Sequence, residues 1–323
     1  MRATALIAAA AFLVAAPALA QEHDHAAHGS GHNHGSHSSH AGHAGHARGA
    51  MTAPQHMEDH VLHQVVDGAW RPAEHKARDQ YRHPGESLTF WGLRPGLTVV
   101  EIGPGGEAWW TQILAPYAAR TGGTYVAALQ DRQNPALTPE RKAAAEQAHA
   151  AFVQRFGNTG TYGTIRTTDV SAAAGLRFEP NSADMILVAR AFHNWAQSEG
   201  TTDRLMASFF AALKPGGVLA VEQHRAPEGA DPKAGTGYVP ESYVIEAARK
   251  AGFVLDARSE VNANPRDARN HPYGVWTLKP TRVSAPRNGV ASDRPTPLTE
   301  AERAAFDAIG ESDRMTLRFR KPS

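Results

Sequence analysis

Thr98-Val99-Val100-Glu101-Ile102-Gly103-Pro104-Gly105-Gly106-Glu107 is the segment that decides the fold, because it reads as a buried strand that breaks into a glycine turn. The β-branched residues favour an extended backbone, and the glycines allow a sharp turn that can approach a ligand closely. The carboxylate of Glu101 suits hydroxyl or ammonium groups, and the start of a following helix favours an anionic group. The segment therefore predicts a ligand site at the carboxyl end of this strand.

Six further segments have strand character, and helical segments separate most of them. The strands are predicted at 125–129, 164–167, 183–188, 218–223, 253–261 and 314–320, and the main helices at 107–117, 139–156, 202–213 and 240–251. Strands that alternate with helices at this spacing predict an α/β, doubly wound, Rossmann-like sheet of seven strands with right-handed crossovers. A long polar insert, 262–313, separates the last two strands. Insertions of that length are usually functional or disordered, and His271 and Tyr273 could cover a substrate, although nothing in the sequence fixes their geometry.

The first twenty residues have the pattern of an export signal. Arg2 precedes an apolar stretch, and Ala18-Leu19-Ala20 forms a small-x-small cleavage site before Gln21. A membrane anchor is the alternative, which the short alanine-rich stretch disfavours. We therefore expect cleavage of residues 1–20, a periplasmic or secreted protein, and no stable membrane insertion after cleavage.

Residues 21–56 form a histidine-rich segment with hardly any bulky apolar side chain, which predicts a disordered arm. Its histidines recur every two to four residues: His23, His25, His28, His32, His34, His37, His40, His43 and His46. Imidazole is a common ligand of Zn, Cu and Ni, so the composition predicts metal binding by the arm. A solvated spacer is the alternative. The globular domain is predicted at 57–323.

Composition excludes several classes of protein. The 33 Lys and Arg residues nearly balance 32 Asp and Glu residues, and the net charge of +1 argues against a general nucleic-acid binder. The absence of cysteine excludes disulfides, thiol nucleophiles and Cys-based zinc sites. The expected partner is a small-molecule substrate, and the oligomeric state stays open.

Two histidines follow predicted strands at the edge where open α/β sheets bind ligands. His193 comes after the fourth strand and is a candidate base or substrate contact, with Trp195 as a stacking wall. The alternative for this segment is an aromatic cluster that closes the core. His224 ends the fifth strand and shares a face with Glu222, which suggests a base with its orienting group, two metal ligands or a structural contact.

The motif order resembles the class I S-adenosylmethionine (SAM)-dependent methyltransferases, and it looks closest to a poorly characterised group of exported bacterial predicted methyltransferases. Residues 101–106 match the first motif of that family, residues 183–195 its fourth-strand motif, and Leu213-Lys214-Pro215-Gly216-Gly217-Val218-Leu219 the turn before its fifth strand. The segment before the last strand, Gly310-Glu311-Ser312-Asp313-Arg314, also resembles the C-terminal ending of that bacterial group. The resemblance implies an antiparallel last strand.

The resemblance also implies a cofactor and its ligands. SAM would contact Glu101, Gly103, Gly105 and Gly106, with Asp169 near the adenine and Asp131 as the nearest acid for the ribose hydroxyls. The sequence departs from the family at Glu107, where a glycine is common and a carboxylate can crowd the SAM carboxylate. It also departs at the end of the second strand, which lacks the usual acid.

Three functions follow from these patterns. The first is an exported SAM-dependent methyltransferase with His193 and His224 as catalytic residues and a small-molecule or cell-envelope acceptor. The second is a non-enzymatic periplasmic ligand- or metal-binding protein on the same fold. The third is a metal-dependent enzyme that uses His193, Glu222 and His224. A nucleotide-dependent dehydrogenase is a weaker competitor, because Ala108 interrupts the Gly-x-Gly-x-x-Gly spacing.

Overall fold

The computed structural model describes residues 59–323. The predicted signal segment, 1–20, and the histidine-rich arm, 21–56, lie outside the described residues. Both therefore stay predictions, as does the metal binding assigned to the nine histidines of the arm. No helix within 59–323 is both long and apolar enough to cross a lipid bilayer.

Helices and strands alternate along the described chain. The helices are α1 (His60–Val66), α2 (Ala73–Lys76), α3 (Asp79–Arg82), α4 (Pro84–Trp91), α5 (Thr111–Thr121), α6 (Pro139–Arg155), α7 (Thr159–Tyr162), α8 (Phe192–Trp195), α9 (Thr201–Ala212), α10 (Glu241–Lys250) and α11 (Glu300–Ile309). The strands are β1 (Thr98–Ile102), β2 (Thr124–Gln130), β3 (Arg166–Ser171), β4 (Gly175–Leu176), β5 (Ala183–Ala189), β6 (Leu213–Ala226), β7 (Val239–Pro240), β8 (Val254–Ser259), β9 (Pro272–Val275) and β10 (Arg314–Arg320).

The sheet has the strand order β4-β3-β2-β1-β5-β6-β10-β8, and β7 pairs with the end of β6. Strands β3, β2, β1, β5 and β6 run parallel, and β10 runs antiparallel to both β6 and β8. This confirms the predicted Rossmann-like α/β sheet with an antiparallel last strand. The seven predicted strands are all present, and the two-residue strands β4 and β7 are additions at its margins.

Apolar side chains cover the central sheet on both faces. On β1, Val100 and Ile102 pack in the layer that contains Phe209 of α9, whereas Val99 packs in the opposite layer with Trp110. This burial on both faces explains why the central strands are nearly continuous apolar runs. It also leaves the strand ends, rather than the faces, as the places where the sheet can meet a ligand.

Two strand boundaries differ from the sequence prediction. Asp169 lies inside β3 rather than after it, because β3 begins at Arg166 and runs on to Ser171 beside β2. The predicted helix stop and turn at 214–217 is the first part of β6. Gly216 donates its N–H to the carbonyl of Lys321 and Gly217 accepts from the N–H of Lys321, so pairing with the C-terminus draws this segment into the sheet.

The 262–313 insert is packed through buried hydrogen bonds. The buried carboxylate of Asp267 accepts from the hydroxyl of Tyr238 and the N–H of Asp313, and it lies 2.7 Å from Nε2 of His271. The hydroxyl of the buried Tyr273 donates to the carbonyl of Thr296. These contacts give His271 and Tyr273 partners inside the insert, rather than the substrate-covering position suggested by sequence.

Candidate active site

The glycine turn is exposed at the carboxyl end of β1. Gly103 has a φ of 59° and Gly105 a φ of 72°, conformations that L side chains rarely adopt. A Cβ atom at either position would meet no atom of the described chain within 4 Å. The turn therefore needs glycine for its backbone conformation, and it leaves open space in which a ligand can approach Gly103, Gly105 and Gly106.

Helix α5 begins at Thr111, later than the start at 107 that periodicity predicted. The reason lies between the turn and the helix, where Ala108 has a left-handed φ of 46° and Trp109 and Trp110 are buried. Their rings meet edge to face, with centroids 4.7 Å apart. Packing of the two tryptophans therefore fixes the exit of the glycine turn before the helix starts.

Glu101 is buried at the end of β1 and is held by two hydroxyl groups. Its Oε2 atom accepts from the hydroxyl of Tyr125 at 2.6 Å and from that of Thr111 at 2.9 Å. Burial raises the pKa of Glu101 to about 7, although the two hydrogen bonds and the positive charge of Arg190 favour the ionised form. The carboxyl group therefore changes charge near neutral pH.

Glu107 is exposed and forms an ion pair with Arg78. Partial burial raises the pKa of this carboxyl group, but the positive charges around it, first that of Arg78 and then those of Arg82 and His75, lower it overall. The negative charge expected to crowd a SAM carboxylate is thus paired with a positive one. Whether Glu107 weakens cofactor binding stays a prediction.

The two aspartates assigned to the cofactor have different surroundings. Asp131 is fully buried after β2, where it accepts from the N–H of Gln133, the hydroxyl of Ser171 and the guanidinium of Arg177. Asp169 is partly exposed on β3, and its carboxylate lies 3.5 Å from Nε of Arg132. The contacts give Asp131 a structural role in joining β2 to β3, whereas Asp169 has a looser environment. Cofactor contact by either residue stays a prediction.

His193 and His224 lie close together, with ring centroids 5.7 Å apart. Gln223 positions His193, because its Oε1 accepts from the N–H of Phe192 while its Nε2 lies 3.3 Å from Nδ1 of His193. This amide orientation makes Nδ1 the acceptor and places the proton of a neutral ring on Nε2. Burial lowers the pKa of His193 to about 4, so the ring is neutral at pH 7.

His224 is partly buried at the end of β6, and its Nδ1 lies 2.6 Å from the hydroxyl of Ser312. Burial, and next the neighbouring His193, lower the pKa of His224 well below its ordinary value. Glu222 forms its ion pair with Arg314, at 3.0 Å, rather than with His224. The predicted base-and-orienter pair of Glu222 and His224 is therefore replaced by two separate contacts.

Two other hypotheses for the carboxyl edge of the sheet, a metal site and a ligand wall formed by Trp195, lose support. Across 59–323, no group of three or more His, Asp or Glu side chains is arranged to hold a metal ion, and the carboxylate of Glu222 is paired with Arg314. Trp195 is buried against Phe192 and Phe209, with centroids 4.9 and 5.8 Å away. It closes the core rather than forming a wall for a ligand.

An arginine-rich group beside the histidines was missed by sequence reasoning. Glu311 is buried and receives hydrogen bonds from three guanidinium groups, those of Arg78, Arg82 and Arg314. Arg190 follows β5 directly and lowers the pKa of Glu101. Two sequence signals were available: Arg190, a charged residue directly after a strongly apolar strand, and the ending 310–314, which contains Glu311 and Arg314.

Clefts elsewhere in the described chain are less suited to the chemistry. One of about 480 Å³ is lined by Gly123, Thr124 and Arg166, at the amino ends of β2 and β3. Another of about 270 Å³ lies among Arg225, Asp267 and their neighbours. Ligands of open α/β sheets bind at the carboxyl ends of the strands, so the exposed glycine turn is the better candidate than the larger cleft.

Comparison with known proteins finds distant similarity in structure alone. No protein-family model matches the sequence, and no curated protein matches it. The [4+2]-cyclase SpnF is 16% identical with a TM-score of 0.44, covering 79% of this chain and 83% of its own. A SAM-dependent methyltransferase from Aquifex aeolicus is 19% identical with a TM-score of 0.42, covering 60% and 94%.

An arsenic(III) SAM methyltransferase from Chlamydomonas reinhardtii is 14% identical with a TM-score of 0.41, covering 81% of this chain and 73% of its own. At these identities and TM-scores the similarities are too distant to indicate an activity or a substrate. The functional argument therefore depends on the residues of this chain.

Proposed function

We propose that the protein is an exported SAM-dependent methyltransferase that acts on a small-molecule or cell-envelope acceptor. The observation that carries the proposal is the exposed glycine turn at the end of β1, with Glu101 buried directly before it and open space above Gly103 and Gly105. The sequence motifs that resemble class I methyltransferases support the choice of cofactor, and the antiparallel β10 agrees with it.

The residues of the turn fit the methionine end of SAM. Backbone that carries no Cβ can approach the cofactor closely at Gly103 and Gly105, and the carboxylate of Glu101 can pair with an ammonium group. Asp169 remains the candidate for the adenine end. When bound, SAM supplies a methyl group on a sulfonium, which is already activated for transfer.

The protein then has to align the acceptor and manage its proton. Alignment alone can supply most of the acceleration of such a reaction, and a base is needed only if the acceptor carries a proton. His193 presents an N–H donor at Nε2, which suits an acceptor oxygen or nitrogen. His224 is neutral, and when its Nδ1 donates to Ser312 its Nε2 lone pair can accept a hydrogen bond from the acceptor.

Titration calorimetry of the mature protein with SAM and its demethylated product tests the proposal. Glu101→Ala removes a charge-assisted contact worth about 1.5–3 kcal/mol, so SAM binding should weaken by roughly ten- to a hundredfold. Glu179→Ala, at an exposed glutamate far along the chain, is the matched control and should bind as wild type. Glu107→Gln should bind equally well or more tightly.

The absence of heat with either ligand at millimolar concentration, in wild-type protein shown to be folded by circular dichroism, would overturn the methyltransferase assignment. Export has its own test. Mass spectrometry of the native protein should find Gln21 as the first residue, and an intact Met1 would contradict cleavage.

A further inference from the structure

The arginine-rich group carries more positive than negative charge. Around the buried carboxylate of Glu311, Nε of Arg78 donates at 2.7 Å, Nε of Arg82 at 2.8 Å and Nη1 of Arg314 at 2.8 Å. Arg78 also pairs with Glu107, and Arg314 with Glu222. With Arg190, the group holds four arginines and three glutamates, which leaves one positive charge in excess while the neighbouring Glu101 is protonated.

Two of these guanidinium groups have donors without acceptors. Arg82 is completely buried, and neither its Nη1 nor its Nη2 atom has a hydrogen-bond partner among residues 59–323. Arg190 is partly buried and forms no side-chain hydrogen bond or ion pair within the same residues. Buried donors without acceptors are costly, so the two Nη atoms of Arg82 call for a further acceptor, and the partly exposed guanidinium group of Arg190 is available to bind one.

The backbone holds Arg190 at this place in spite of strain. Its φ of 56° lies in the left-handed region, which is costly for a residue with a side chain, and its N–H donates to the carbonyl of Glu222 at 2.7 Å. The positive charge of Arg190 is, after burial, the largest influence that lowers the pKa of Arg82. The guanidinium groups of Arg82 and Arg190 are therefore close neighbours.

Arg190 lies between the glycine turn and the histidine pair. Strand β5 runs between β1 and β6, so Arg190 leaves the sheet between Glu101 on one side and His224 on the other. After burial and closer contacts, its charge also lowers the pKa values of His193 and His224. An anion bound by Arg190 would therefore lie beside the residues assigned to the acceptor.

We propose that the partly exposed guanidinium group of Arg190, beside the unpartnered donors of the buried Arg82, binds a carboxylate or phosphate group of the methyl acceptor. The planar fork of arginine matches both anions and forms charge-assisted hydrogen bonds with them. The anion site follows from the arginines alone, and its assignment to the acceptor rests on the proposed function. The acceptor is thus an anionic small molecule or an anionic envelope component.

Inorganic phosphate is the probe for the anion site, measured by calorimetry with the mature protein. Arg190→Asn keeps a residue that tolerates the left-handed backbone, so the variant should fold, and it should bind phosphate at least tenfold more weakly than wild type. Arg190→Lys retains the charge without the fork and should bind with intermediate affinity. Arg141→Gln, at an exposed arginine of α6, is the control and should bind as wild type. Wild-type affinity in folded Arg190→Asn would overturn the site.

A second set of ligands separates an acceptor anion from the carboxylate of the cofactor. S-adenosylhomocysteine carries that carboxylate, and methylthioadenosine lacks it. We expect Arg190→Asn to bind both ligands as wild type does, and phosphate to bind wild-type protein saturated with S-adenosylhomocysteine. Displacement of phosphate by S-adenosylhomocysteine, together with selective weakening of S-adenosylhomocysteine in the variant, would assign the arginines to the cofactor and overturn the acceptor assignment. If neither adenosyl ligand binds but phosphate does, the proposed function fails and the anion site stands alone.

Discussion

Glu101 shows how one buried carboxyl group links the stability of the protein to pH. Burial raises its pKa from 4.5 to about 7, so the folded protein holds this proton more tightly than the unfolded chain does. The contribution of Glu101 to the free energy of unfolding is therefore fully present below about pH 4.5 and is lost as pH rises towards 7. Loss of this proton gives Glu101 the negative charge that we assign to cofactor binding.

The Glu101→Gln variant tests this linkage because glutamine does not titrate. At about 1.4 kcal/mol per pKa unit, the stability of the variant relative to wild type should rise by about 2–3 kcal/mol between pH 5 and pH 8. Urea unfolding at both pH values measures the change. The titration of His193 affects the stability of both proteins equally and therefore cancels in the comparison. The same relative stability at pH 5 and pH 8 would contradict the raised pKa of Glu101.

The glycine turn offers a second test at the level of single residues. Gly105→Ala places a side chain at a φ of 72° and should lower the free energy of unfolding by about 1–2 kcal/mol. Gly85→Ala is the matched control, since Gly85 lies in α4 with open space around it and has no positive φ. That change should stabilise the protein by about 0.5–1 kcal/mol. Urea unfolding of both variants should show opposite signs, and equal effects would mean that backbone strain does not govern the turn.

At the scale of elements, the sequence predicted the features that depend on interactions between neighbouring residues. The strand and turn around Glu101 could be predicted because β-branched residues and glycines act over a few positions. The edges of β3 and β6 could not, because pairing with distant segments such as Lys321 sets them. The arginine-rich group escaped prediction for the same reason, since Arg82 and Glu311 meet only after the chain has folded.

One buried carboxylate, that of Asp267, joins the long insert to its surroundings through several hydrogen bonds. Asp267 accepts hydrogen bonds from Tyr238 and from the N–H of Asp313, so Asp267→Ala leaves buried donors without acceptors. At about 1–3 kcal/mol for each such group, we expect roughly 3 kcal/mol of lost stability and faster proteolysis within 262–313. Limited proteolysis with mass mapping measures this. Asp293→Ala, at an exposed position of the same insert, should digest as wild type. Equal rates for both variants would show that Asp267 does not hold the insert.

At the scale of the whole molecule, the strand order explains why the candidate groups meet. Strands β1, β5 and β6 are neighbours, and their carboxyl ends deliver Glu101, Arg190 and His224 to one edge. The antiparallel β10 begins beside the end of β6, which brings Ser312 and Arg314 to the same edge from the C-terminal end of the chain. A site assembled in this way draws on residues separated by more than two hundred positions, as the ion pair of Arg82 with Glu311 shows.

The histidine-rich arm allows the functions of the two parts of the chain to be separated. Nine histidines recur every two to four residues in the arm, so we expect metal binding to reside in residues 21–56. Deletion of 21–56 should abolish binding of Zn, Cu and Ni by the mature protein and leave its thermal unfolding and SAM binding unchanged.

In the full mature chain, metal affinity should fall below about pH 6, because protonated imidazole cannot ligate. Calorimetry with each metal at pH 5 and pH 7.5 measures both effects. Undiminished metal binding after the deletion would place the metal in the globular domain and bring back the third hypothesis, an enzyme that uses a metal at the edge of its sheet.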